Sequence, residues 1–137
     1  MSLPTYIGGS FAGRDRIKKE ADRLAGLNYK ILSKWFDAEY FIEKAWNQDM
    51  GGDVAEAMAR LDFTQILQAK LIIIDTIDKS STGGSDTELG MAIMLAFFHD
   101  TRIVHIGPVR NIFQTMVLEW YHDWDEFILS GSKLITE

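Results

Sequence analysis

An α/β fold with a parallel sheet is predicted by three features of the chain. Leu71 to Ile74 is an apolar run without alternation, the pattern of a central parallel strand covered on both faces. Other strand-like runs, at Pro4 to Gly9, Tyr29 to Ser33 and Arg102 to Ile106, are separated from it by segments of helical period. Strands alternating with helices in this way give a parallel sheet with right-handed crossovers. The third feature is the corner after the central strand. A polar, glycine-containing loop follows Asp75, and a nearly all-apolar helix then begins with one carboxylate, Glu88, near its start. A buried strand, a loop and a helix N-terminus together make a ligand site in open α/β sheets.

At 137 residues the chain is one domain's worth, spanning 1–137. Apolar residues make up 47% and charged residues 25%, an ordinary globular profile. The net charge of −6 argues against a nucleic-acid polymer or an anionic membrane as partner. The absence of cysteine excludes disulfides, thiolate metal sites and cysteine catalysis. His99, His105 and His122 have no metal-ligand spacing, and no metal site is expected. No apolar run reaches the roughly 18 residues of a membrane span. The opening MSLPTYIGG lacks the basic and long apolar regions of a signal peptide, so a cytoplasmic protein is expected.

Each element has its own justification. Pro4 to Gly9 reads as the first strand, and Gly8, Gly9, Ser10 and Gly13 as the turn after it. A helix follows from about Arg14 to Leu24, with Ile17, Ala21 and Leu24 on one face and Gly26 as its stop. Tyr29 to Ser33 is a second strand. Trp35 to Asp53 is rich in aromatics and broken at Gly51-Gly52; it reads as a helical excursion over the sheet edge. Those rings either pack in the core or form a lid, and Trp35 is the candidate to stack on a flat ligand. Asp53 starts a helix to about Ala69 with Val54, Met58 and Leu61 on its stripe, which bends at the polar Gln65 toward Ile66 and Leu67. Asp62 lies at the margin of that face, an unusual place for a carboxylate without a partner. The central strand runs from Leu71 to Thr76. The helix from about Asp86 to Phe98 has so little polar surface that the sheet or a partner subunit must bury it. Arg102 to Ile106 is a fourth strand, Gly107-Pro108 turns the chain, Leu118 to His122 is a candidate fifth strand and Trp124 to Ser130 a final helix.

Ser85-Asp86-Thr87-Glu88 matches a capping box, with Ser85 at the N-cap and Glu88 turned back onto it. Two placements follow for Glu88: turned back to cap the helix, or pointed into the cleft as a reactive group; the helix dipole favours its ionised form either way. An ionised carboxylate can stabilise or capture the oxocarbenium-like centre of glycosyl transfer, while a second acid manages the leaving group's proton. Asp62 is the candidate second acid. Thr82, Gly83, Gly84 and Ser85 ahead of a helix suit an anion.

The runs YIGGSF, LDFTQILQAKLIIIDT and GGSDTELGMA, in that order, resemble the nucleoside 2-deoxyribosyltransferase family, which includes the related deoxynucleoside 5′-monophosphate N-glycosidases. The resemblance is discontinuous over roughly Thr5 to Phe113. It implies a flavodoxin-like three-layer sandwich with about five parallel strands, and homo-oligomers, dimeric or higher, whose neighbours share active sites. It also implies cleavage or transfer at the N-glycosidic bond of a small-molecule nucleoside or nucleoside 5′-monophosphate, without a cofactor. Glu88 would be the nucleophile of a covalent intermediate, Asp62 would face the leaving base, and Tyr6 would orient Glu88. Gly8, Gly9 and Ser10 would line the sugar, and Asn111 resembles a segment lent to the adjacent subunit. Many transferases of the family carry an acid six residues before the nucleophile, where this chain has Thr82. A hydroxyl there resembles the monophosphate hydrolases, with Arg14 the nearest basic candidate for a 5′-phosphate. The rival reading is a non-catalytic nucleotide-binding module on the same fold.

Among the remaining residues, Asp75 and Asp78 read as loop solvation ahead of metal ligation, and His105 as a satisfied core histidine. Trp120, Tyr121, Trp124 and Phe127 either close the core or form an oligomer contact.

Overall fold

The computed structural model describes residues 2–37, 53–79 and 84–131. Within them, parallel strands β1 (Leu3–Gly9), β2 (Tyr29–Ile31), β3 (Leu71–Asp75), β4 (Arg102–Ile106) and β5 (Trp120–Tyr121) form one sheet in the order β2-β1-β3-β4-β5. Helices α1 (Arg14–Ala25), α2 (Asp53–Gln68) and α3 (Gly84–Phe98) cover it. A short helical segment, Trp124–Glu126, runs into a π turn, Phe127–Gly131. This is the flavodoxin-like strand order of a three-layer α/β fold.

The pleat of β1 sorts the layers. A Cβ on Gly8 would meet Glu88 of α3, whereas one on Gly9 would meet Ile17 of α1. Neighbouring residues thus address opposite helical faces. Every residue of β3 is buried, and Ile73 pairs with Ile7 on one side and Val104 on the other. Each fully buried isoleucine of β3 stabilises the fold by about 1.5–3 kcal/mol relative to exposure. α1 buries Ile17, Ala21 and Leu24, as its period requires. The C-terminal rings close the same layer: Phe127 is fully buried and packs edge-on against Tyr121 and Trp124, at 5.5 and 6.3 Å between centroids. Trp120 remains exposed.

Some elements differ from the sequence expectation. β2 stops at Ile31, but buried Ser33 continues the contact by accepting a 2.6 Å hydrogen bond from Ile7 N at its Oγ. β3 stops at Asp75 and β5 has two residues. On α2 the inner face is Met58, Gln65 and Ile66, with Ala69 buried just past its end, while Leu61 and Leu67 are exposed. α3 buries Leu89 and Ala92, yet Met94, Phe97 and Phe98 are 58%, 75% and 72% exposed, so the sheet covers one side of this apolar helix and no more. No helix among the described residues is long and apolar enough to cross a membrane. The aromatic segment Tyr40, Phe41 and Trp46, with Gly51-Gly52, lies outside the described residues.

Candidate active site

Glu88 stands on the first turns of α3, over the C-terminal end of β1. The helix begins at Gly84, which puts Ser85 inside it and not at the N-cap. The capping-box reading is corrected by where the carboxyl goes: Oε1 accepts a 3.0 Å hydrogen bond from the Tyr6 hydroxyl, 82 residues away in sequence. Oε2 is buried and has no hydrogen-bond partner among the described residues. Gly8 makes this possible, because any Cβ there would collide with Glu88 Oε2. A glycine two residues after Tyr6 on the same strand face lets a carboxyl lie flat against the backbone.

Electrostatics at this corner oppose the ionised form of Glu88 that the helix dipole favours. Burial pushes its carboxyl up to about 8, the charge of Asp62 adds to the rise, and the Tyr6 hydrogen bond opposes it. Loss of hydration works against the helix dipole and the hydrogen bond and favours the neutral form. Asp62, on the facing helix α2, is itself raised to about 6 by burial, and its Oδ1 also lacks a partner among the described residues. The structure therefore brings Tyr6, Gly8, Asp62 and Glu88 into one electrostatic unit.

The other residues singled out from sequence have varied settings. Ser10 Oγ is engaged locally, donating to Lys79 O at 3.2 Å and accepting from Ala12 N at 3.3 Å. Arg14 lies over the Phe11 ring, 4.0 Å from its centroid, and donates to Phe11 O. Trp35 is buried behind β1, with its indole N–H donating to Ile7 O at 2.7 Å; this is its core-packing setting. Gly9 lies against Ile17 on the opposite face of the sheet from Glu88. Asn111 accepts from Phe113 N and Gln114 N and donates to Asp86 Oδ1 at 3.1 Å, tying its turn to the first turn of its own α3. Gly84 and Ser85 occupy that first turn, and Thr82 lies outside the described residues.

Two hollows flank α3, and Glu88 and Asp62 line neither. One, of about 550 Å³, is apolar and bounded by Leu89, Gly90, Ile93, Met94, Phe113 and Met116. The other, of about 170 Å³, lies between the loop after β3 and the turn at Asn111, and includes Asp78, Lys79, Ser85, Arg110 and Gln114.

Asp75 corrects the expectation of loop solvation. It is buried at the end of β3 and accepts two hydrogen bonds from the Arg16 guanidinium, at 2.8 and 2.9 Å. The Trp124 indole N–H and Ile77 N complete its partners. Arg16 also holds Asp78 at 2.9 Å, and Asp75 raises the guanidinium further above its ordinary range. A carboxylate ending an apolar strand needs a buried-side cation, and that need was the available signal for Arg16. Arg110 was missed as well: its guanidinium donates to Thr76 O and Ile77 O, at 2.7 and 2.8 Å, and clamps the start of the loop that leads to α3. His105 is buried with one ring nitrogen 2.7 Å from Thr76 Oγ1, and burial lowers its pKa. Thr76 Oγ1 donates onward to Pro108 O at 2.6 Å, which makes His105 Nε2 the donor to Thr76.

No family model matches the chain, and no curated protein matches it in sequence.

Proposed function

We propose that this protein cleaves or transfers the N-glycosidic bond of a (deoxy)nucleoside or its 5′-monophosphate. Glu88 is the nucleophile toward C1′ and Asp62 serves the leaving base. The observation that carries this reading is the Glu88 carboxyl itself, with one oxygen held by Tyr6, the other without a partner among the described residues, and a second raised acid opposite. It joins the resemblance of the GGSDTELGMA segment to the deoxyribosyltransferases.

The chemistry needs a carboxylate and an acid at the same time, that is, one proton on the pair. With Asp62 raised to about 6 and Glu88 to about 8, the pair holds one proton across neutral pH. Positive charge developing at the anomeric carbon favours ionised Glu88 and leaves the proton to Asp62. Glu88 Oε2 then bonds to C1′ as the C1′–N bond breaks, and the base nitrogen takes both the electron pair and the Asp62 proton. In the second half a base or a water attacks C1′, its proton goes to Asp62, and Glu88 leaves as carboxylate. This follows the two-carboxylate logic of retaining glycoside chemistry.

On this reading the enzyme is a cytoplasmic homo-oligomer, dimeric or higher. The exposed Met94, Phe97 and Phe98 on α3, with Phe113 and Met116 beside Asn111, support a second copy covering that side. The deciding experiment measures base release from deoxynucleosides and their 5′-monophosphates, with and without an acceptor base, beside Glu88→Ala. Release that requires an acceptor defines a transferase, and release from monophosphates in water defines a hydrolase. A folded Glu88→Ala that retains near-full activity overturns the mechanism. Ligand binding by the wild type without any turnover moves the assignment to a nucleotide-binding module.

A further inference from the structure

The seat of Glu88 is a short stretch of β1. Tyr6 gives its hydroxyl to Oε1 at 3.0 Å, and Gly8 lies so close to Oε2 that a Cβ there would collide with it. Ile7 lies between them. On the β3 side the ladder of β1 is continuous from Thr5 to Gly9. On the β2 side the register ends at Thr5 opposite Ile31, and Leu32 N donates to Thr5 O at 2.8 Å just beyond it. The chain then turns at Lys34, whose carbonyl accepts from Asp37 N at 2.9 Å. A strand that stopped there would leave the N–H and C=O of Ile7 unpaired in the core, each costing about as much as a lost hydrogen bond. Two side chains stand in for the missing strand. Ser33 Oγ accepts from Ile7 N at 2.6 Å, the Trp35 indole N–H donates to Ile7 O at 2.7 Å, and both bonds are buried.

Resting on the glycosidic reading above, we infer that Ser33 and Trp35 are positioning residues for the nucleophile: by pairing with both backbone polar groups of Ile7 they fix the stretch Tyr6–Gly8 against which the Glu88 carboxyl is set. The pleat carries this hold to the site. Ile7 turns its side chain to the α1 face, and its two neighbours turn to the α3 face, where one donates to the carboxyl and the other lies flat beneath it. With β3 on one edge and two side-chain bonds on the other, β1 cannot slide or tilt without breaking buried hydrogen bonds. Such a hold matters for a reacting carboxyl, because a misplacement of about 1 Å can cost about a hundredfold in rate. Trp35 thus serves the site from behind β1 and not by stacking on a ligand. Ser33 is 1% exposed, and its hydroxyl replaces a backbone partner at the point where the strand beside it has ended.

The test follows the Glu88 carboxyl of the full chain through a pH titration by carbon-13 NMR, with Glu88→Gln assigning the signal, a readout that needs no substrate. It adds kcat and KM on whichever nucleoside or monophosphate is turned over. Ser33→Ala and Trp35→Phe each remove one bond to Ile7, and Leu24→Ala removes buried packing on α1 as the control for lost stability. In both test variants the Glu88 titration is expected to move upward as the Tyr6 bond loosens. The rate loss, about three- to tenfold, falls in kcat with KM held within about twofold. Ser33→Thr keeps the hydroxyl and restores both readouts. Added to Tyr6→Phe, Ser33→Ala moves the titration no further, because the two act through one contact. Trp35→Phe keeps an aromatic ring in the core and decides alone if Ser33→Ala does not fold. A titration unmoved in the test variants, or moved as far in Leu24→Ala, overturns the positioning role while leaving the Glu88 chemistry intact. A titration that moves as expected in a chain that releases no base from any substrate does the reverse: it sustains the hold on Glu88 and removes the glycosidic reading.

Discussion

Asp75 and Glu88 both carry carboxyl groups into the same sheet, one on each face, and the protein treats them in opposite ways. Asp75 receives a two-pronged Arg16, an indole N–H and a backbone N–H. Among the described residues Glu88 receives one tyrosine hydroxyl, and a neighbouring acid raises its pKa further. A carboxylate so fully paired has little capacity left for a ligand; its work is to join α1, β3 and the C-terminal helical segment. A buried carboxyl left half-paired opposes folding, and a stable chain carries such a group where the missing partner is a reacting one. The contrast separates scaffold from site without appeal to any relative.

The largest effect that could break this contrast comes from Glu88→Gln. Activity should fall by several orders of magnitude, as for loss of a nucleophile. Stability should move differently. The unfolded chain releases this proton near 4.5, whereas the folded chain holds it to about 8. The stability due to the neutral group is therefore complete below about 4.5 and lost as pH rises through about 8. Thermal melts of the wild type should decline over that window, and Glu88→Gln should flatten the decline. A melt profile that stays equally steep in the variant would show that Glu88 is not the group responsible.

On the opposite face, Arg16→Ala should cost about 3–5 kcal/mol in denaturant unfolding, because it leaves Asp75 buried and short of its cation. Rates per folded molecule should change by no more than a few-fold, since Arg16 reaches Asp75 and Asp78 and not the Glu88 corner. Lost turnover at unchanged stability would invert the assignment of scaffold and site.

The halves of this comparison were unequally legible in the sequence. Elements set by local pattern came through closely: β4 at Arg102 to Ile106, α1 with its Ile17, Ala21 and Leu24 stripe, and β3 up to Asp75. Motif order singled out Tyr6, Asp62 and Glu88, and the structure brings them together. Long-range partner choice was not legible. Arg16 was not singled out, because its partner lies 59 residues away. Ser85 and Glu88 satisfied a local capping pattern that Tyr6 overrides from across the fold. The raised pKa of Glu88 comes from burial and from Asp62, neither of which is encoded in its immediate neighbours. Gln65 was visible as a break in an apolar row, but the row alone did not show that its oxygen would lack a donor among the described residues.

The smallest and most discriminating effect belongs to Tyr6→Phe. The hydroxyl donates to Glu88 Oε1 and opposes the rise of the Glu88 pKa. Removing it costs about 1 kcal/mol of stability as a lost hydrogen bond. Activity should fall about tenfold through loosened orientation of the nucleophile, well short of the Glu88→Gln loss. The pH profile separates orientation from simple packing. With one proton required on the pair, kcat/KM should be bell-shaped, with limbs near the Asp62 and Glu88 values of about 6 and about 8. In Tyr6→Phe the alkaline limb should move upward and the acid limb should stay in place, because the hydroxyl touches Glu88 and the acid limb belongs chiefly to Asp62. A uniform drop with both limbs fixed would make Tyr6 a packing residue of β1, and would leave Glu88 held by Gly8 and the helix alone.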